Sequence, residues 1–214
     1  MTTLNQLLLV IILVTDIALA GNSRLRTCID IVSVQGFALG LLPAVIGLET
    51  GMTAELVVIA LAGIVLRGFV FPLLLRKSIA KAGSDRELKP LVGYFLSTMV
   101  VLALMALSLW LSKRLEFLDP DLLLFSTVAL ATIFSGTFLI VGRRLAVMQI
   151  IGYILIENGI YCLGLAFVRQ IPLVVELGVL FDAIVAVFVM SVATNKIHEE
   201  FEHLDVAKLD SLKG

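Results

Sequence analysis

The sequence predicts an all-α fold, a polytopic membrane bundle of about seven transmembrane helices, from three observations. The 214 residues are 60% hydrophobic and only 15% charged, with a mean hydropathy of +1.09, which leaves too little polar cover for a surface facing water. Apolar runs recur seven times along the chain, each long enough for a hydrocarbon core of about 30 Å, which takes roughly 20 helical residues. The connections between them are mostly short and rich in the Gly, Asn, Pro and Arg that end helices.

The first run, 4–20, ends in Ala18-Leu19-Ala20, which imitates a signal-peptide cleavage site. No Lys or Arg precedes it, Asp16 interrupts it, and Arg24 and Arg26 follow, so it is predicted to be a retained span. The remaining spans are expected at 29–48, 56–75, 91–111, 122–141, 145–168 and 173–193, and only the third connection, 76–90, is long. Residues 1–194 then form one membrane domain and 195–214 a polar tail. Twelve of the sixteen Lys and Arg fall in the first, third and fifth connections and the tail, three fall on the other side, and Arg67 lies inside a span. Positive residues favour the cytoplasmic side, which predicts the N-terminus outside and the C-terminus in the cytoplasm.

Several function classes are excluded at this level. The net charge of -1 gives no footprint for nucleic acid. Cys28 and Cys162 lie far apart, one near a predicted membrane boundary and the other inside an apolar run, so neither a CxxC metal site nor a disulfide framework is expected. Both histidines, His198 and His203, fall in the tail, so no span offers a histidine pair to a haem. There is no HExxH for zinc, and the last span has no lysine for a Schiff base. No cofactor or metal is expected in this chain.

Ionisable residues inside spans cost about 2.5 to 3.5 kcal/mol at the centre on insertion scales and so point to function or to a partner. Five stand out: Asp16, Arg67, Glu157, Glu176 and Asp182. At about 1.5 Å of rise per residue, Glu157 and Asp182 come to nearly the same level on consecutive spans, close to mid-bilayer. Two carboxyl groups there cannot both carry charge cheaply, which suits them to taking up and releasing a proton. Gln149, Tyr153, Glu157 and Tyr161 are each four apart and form one polar stripe, flanked by Asn158, with Gly152 and Gly159 allowing close helix approach. The alternative is that Glu157 only hydrogen-bonds across helices to hold the bundle.

Glu176, near the outer end of its span, is either the entrance of a path or an interfacial acid whose head snorkels. Arg67 has Pro72 five residues further on, so the backbone ladder is expected to break nearby and widen into a polar cavity. Asp16 lies in the same membrane half, and Arg67 either forms an ion pair with it or tunes a neighbouring protonation. Thr132, Ser135 and Gly136 read as a packing seam without catalytic meaning.

From residue 121 to 194 the chain resembles the three-helix K-type subunit of respiratory complex I and its relative in multi-subunit cation/proton antiporters. The resemblance is carried by Gly142-Arg143-Arg144, by Met148-Gln149-Ile150-Ile151-Gly152 and by an acid in each of the last two spans. Glu157 stands about one turn beyond the K-type glutamate, whose place Ile154 takes. Over the full length the closer resemblance is to the hydrogenase-4 component E family. It rests on Gly152-Tyr153-Ile154-Leu155-Ile156-Glu157-Asn158-Gly159, Val175-Glu176-Leu177-Gly178, Asp182-Ala183-Ile184 and the ending Leu204-Asp205-Val206 through Leu212-Lys213-Gly214.

The resemblance implies a multi-pass subunit of the inner (cytoplasmic) membrane, in the membrane arm of a formate-hydrogenlyase-like oxidoreductase complex. Antiporter-like subunits and a peripheral hydrogenase-like arm would be its partners, and that arm would hold the iron-sulfur clusters and usually a nickel-iron centre. Glu157 and Asp182 would belong to a route for protons or sodium, with Glu176, Arg67, Asp16, Tyr153 and Tyr161 beside it. The alternatives are a subunit of a cation/proton antiporter without a hydrogenase, a purely structural subunit and, less well suited to seven spans, a standalone transporter.

Overall fold

The computed structural model describes residues 3–82, 90–114 and 120–167. Its elements are α1 (Thr3–Gly21), α2 (Leu25–Thr50), α3 (Ala54–Gly63), a π-helical segment (Ile64–Val70), α4 (Phe71–Ala82), α5 (Tyr94–Arg114), α6 (Pro120–Gly142) and α7 (Ala146–Phe167). Helices are expected in lipid because each satisfies its backbone hydrogen bonds internally. Among the described residues, six stretches are long and apolar enough to cross a membrane, the sixth being Ala146–Leu165. The seventh apolar run and the tail lie outside the described residues.

Short connections make α1 and α2, and likewise α6 and α7, neighbours that run in opposite directions. α1 also packs on α5 and α6, while α2 packs on α3, the π segment, α4 and α7. At the α2–α3 turn, Gly51 takes φ 106° and donates its N–H to the Gly47 carbonyl, a left-handed conformation that favours glycine. Thr53 then caps α3 by accepting from the Leu56 N–H. The basic turn after α6 is drawn inward on one side. Arg143 is buried, donates to the Ala20 carbonyl and lies 4.5 Å from the Tyr94 ring, tying the end of α1 to the start of α5.

The third span departs from a single regular helix. Pro72 has no N–H, so the Gly68 carbonyl four residues before it loses its ordinary partner. Ser33 of α2 replaces that donor, with its Oγ 2.6 Å from the Gly68 oxygen. Just before the proline the ladder shifts to a spacing of five, with Phe71 N–H bonding to the Leu66 carbonyl. The break is therefore a change of helical winding centred on Arg67.

Two apolar clusters fill the bundle. One holds Leu19, Ile29, Val32, Phe71, Leu139, Ile151 and Leu155, and the other Leu9, Ile12, Leu39, Leu42, Val128, Ala129 and Cys162. On α1, α2, α6 and α7 the sequence between them supplies polar side chains at 16, 35, 132 and 157–158. A polar layer is thus enclosed between two apolar ones.

Candidate functional site

Arg67 is delivered to that layer by two features of the local sequence. The wider winding around it moves its side chain out of the ordinary helical register. Gly36 lets α2 come close enough: a Cβ there would lie 2.4 Å from the Arg67 carbonyl oxygen. From this position the guanidinium ion-pairs with Glu157 through Nη2 and donates through Nη1 to Asn158 Oδ1 at 2.8 Å. Its central carbon sits 3.9 Å from the centroid of the Tyr161 ring, a cation–π contact on a desolvated site.

The network continues past Asn158. Its Nδ2 donates to Gln35 Oε1 at 3.0 Å, and Gln35 Nε2 donates to Asp16 Oδ1 at 2.7 Å. Asp16 also accepts from the Thr132 hydroxyl at 2.8 Å. Arg67, Glu157, Asn158, Gln35, Asp16 and Thr132 are each at most 2% exposed, so the network lies wholly inside the protein. Its direction follows from its ends. Arginine can only donate, so Asn158 must turn its oxygen toward Arg67 and its nitrogen away, and Gln35 must do the same. Each bond of the chain Arg67–Asn158–Gln35–Asp16 then runs from the cation toward the carboxylate.

The structure brings together Arg67, Glu157, Tyr161 and Asp16 from among the residues singled out in the sequence. The direct ion pair considered between Arg67 and Asp16 is not formed. Glu157 takes the guanidinium, and two amides separate it from Asp16. Tyr153, one turn before Glu157, is half-buried against the first apolar cluster, and Gln149 is exposed, donating to the Arg143 carbonyl at 3.2 Å. The polar stripe of α7 therefore divides, with only its second half facing the layer. Glu176 and Asp182 lie outside the described residues.

Gln35 escaped the sequence reading, and Thr132 was assigned to a packing seam. Gly136 does belong to such a seam, against Gly152, and Thr132, one turn before it on the same helix, bonds Asp16 of α1. The available signal was a neutral amide deep in an apolar run. Gln35 carries no charge, yet an amide in lipid needs a partner as a carboxylate does. Among the described residues, no group of His, Cys, Asp and Glu is placed to hold a metal ion.

Comparison with known proteins gives two kinds of relative. Uncharacterized protein Rv0085 of Mycobacterium tuberculosis is 28% identical over 204 residues, covering 94% of this chain and 92% of its own length. Hydrogenase-4 component E of Escherichia coli K12 is 40% identical over 87 residues, 41% of this chain and 40% of that protein. The component of the same name from Shigella flexneri matches to the same extent. No family model matches the chain, and no solved structure matches it. The chain is a multi-pass membrane protein, similar over two fifths of its length to hydrogenase-4 component E.

Proposed function

We propose that this chain is a membrane-arm subunit of a hydrogenase-4-like, energy-converting complex of the inner membrane. Its buried carboxyl groups take part in moving protons or sodium, coupled to electron transfer in other subunits. The observation that carries the reading is the enclosed network from Glu157 through Arg67, Asn158 and Gln35 to Asp16. Charges this deep in lipid are costly to keep for structure alone, and the likeness to hydrogenase-4 component E supplies the setting. On this reading antiporter-like subunits lie beside the chain, and the iron-sulfur and nickel-iron centres belong to the peripheral arm. Residues 121–194 form the K-like unit, and Asp182 and Glu176 extend the route beyond Glu157.

Replacing Glu157 with Gln keeps the shape and removes the charge. In inverted membrane vesicles, the E157Q complex is expected to assemble and pass electrons while losing the coupled pH gradient, followed by quenching of an acridine dye. Asp182→Asn is expected to behave in the same way, because a relay fails when either station is lost. An undiminished gradient in E157Q would reduce the network to a clamp between the π segment and α7. Purification of the native complex separates the hydrogenase setting from a cation/proton antiporter, since only the former brings iron-sulfur subunits with it.

A further inference from the structure

The seam between α2 and the third span reaches the outer surface of the bundle along three contacts. Asp30 of α2 pairs with Arg76 of α4 at 2.5 Å, the Ser33 hydroxyl donates to the Gly68 carbonyl, and the Phe37 and Phe69 rings meet edge to face with centroids 4.8 Å apart. Gly68 leaves the room for the Phe37 ring, since a Cβ there would lie 2.9 Å from it. Along this seam the exposed side chains divide by chemistry. Val34 and Leu41 of α2 and Val65, Phe69 and Leu73 of the third span are exposed and apolar. Arg26, Asp30, Arg76 and Lys77 are exposed and charged, and all four lie at the end where α2 begins. We propose that this strip binds an anionic phospholipid, its acyl chains lying along Val34, Phe69 and Leu73 and its phosphate held by Arg26, Arg76 and Lys77.

Three features fit such a ligand. The first is length. At about 1.5 Å per residue, Val65 to Leu73 spans roughly 12 Å, as does Arg26 to Val34, which suits one leaflet of a hydrocarbon core of about 30 Å. The second is charge. Arg26, Arg76 and Lys77 outweigh Asp30, which is itself held against Arg76, so these groups together favour an anionic head. Guanidinium groups also meet phosphate oxygens with paired N–H donors. The third is asymmetry. Residues 27–66, which carry α2 and α3 to the far end of the bundle and back, contain no Lys or Arg. The strip therefore has a basic head end without a basic counterpart along the rest of these helices, which is the form of an amphiphile occupying one leaflet.

A headgroup bound in this way joins α2 to α4 beside an exposed ion pair, a kind of contact that contributes little by itself. It braces the same seam that brings Arg67 past α2, at the surface and about 13.5 Å along the helix from Arg67.

The full chain, purified with the subunits that accompany it, is placed in nanodiscs containing equal parts phosphatidylglycerol and phosphatidylcholine. Each lipid is supplied in turn with the same photoactivatable acyl chain, and mass spectrometry reads the labelling at Val34, Phe69 and Leu73. The ratio of phosphatidylglycerol to phosphatidylcholine labelling is expected to exceed the mixing ratio by at least about fivefold, which corresponds to about 1 kcal/mol for a single basic residue near an anionic surface. The R26Q/K77Q variant is expected to return it toward the mixing ratio. A ratio equal to the mixing ratio in the unaltered protein overturns the site, and so does a raised ratio that R26Q/K77Q leaves in place. Labelling by neither lipid also overturns it and gives the strip to a neighbouring subunit. Should R26Q/K77Q fail to accumulate, Lys77→Gln alone decides: the ratio is expected to fall part of the way, and an unchanged ratio overturns the assignment.

Discussion

The α6–α7 interface and the interface of α2 with the π segment both depend on glycine, yet they hold different things together. In the first, a Cβ on Gly136 would lie 2.5 Å from the Gly152 carbonyl oxygen, and one on Gly159 would lie 2.7 Å from the Ala129 oxygen. Backbone approaches backbone there, and the gain is van der Waals contact over apolar surface, the usual basis of helix association in lipid. In the second, Gly36 and Gly40 bring α2 against Arg67 and Ile64 just as closely, but the approach lets a cation pass beside α2 and reach α7. One seam is limited by volume and the other by charge. Variants that change volume without charge, or charge without volume, should therefore separate them.

The largest effect is expected from Arg67→Met, which strands Glu157 in the interior. Removing one partner of a buried ion pair typically costs about 3–5 kcal/mol, so thermal unfolding in detergent should fall steeply or the chain should fail to accumulate. The R67M/E157M double variant replaces both charges with apolar groups of similar length and should recover most of the loss. A double variant no more stable than R67M would show that the cation matters mainly to something other than Glu157.

Gly136→Leu tests the other seam. The added side chain meets backbone that cannot turn aside, and overpacking of this kind costs about 1–3 kcal/mol. Proton transport per assembled complex should stay at the level of the unaltered protein, because no group of the polar layer changes. Gly36→Leu, which crowds Arg67 itself, should lower both stability and transport. Equal transport losses in the two variants would erase the distinction between the seams. Thr132→Val comes next: it removes one hydrogen bond to Asp16 while keeping the volume, and interhelical bonds in lipid average roughly 0.6 kcal/mol with a maximum near 1.7.

How much of this was legible in the sequence differs between the two seams for a physical reason. Apolar runs and small residues at helical spacing are local patterns, so the spans, the close approach at Gly152 and Gly159, and the intramembrane charges could be read directly. Partner choice is not local. Glu157 and Asp16 both offer a carboxylate at a plausible depth for Arg67, and the sequence contains nothing that decides between them. The decision is made by the winding before Pro72, which turns Arg67 toward α7, and by Gln35, which occupies Asp16 instead. Gln35 and Thr132 were missed because neutral polar groups look incidental in an apolar run until their partners are in place.

The winding itself offers the smallest and most discriminating test. Ser33→Ala removes the hydroxyl that serves the Gly68 carbonyl, and because Pro72 cannot donate, that oxygen loses its donor. A loss of roughly 0.6 kcal/mol is expected, the average for a hydrogen bond between membrane helices. Pro72→Ala restores an N–H four residues after Gly68, so in that background Ser33→Ala should cost less than it does alone. The two substitutions should thus be non-additive in a thermal unfolding cycle. Additive costs would mean that the proline does not set the local winding, and the position of Arg67 would then have to be explained by the guanidinium's own partners pulling the backbone into place.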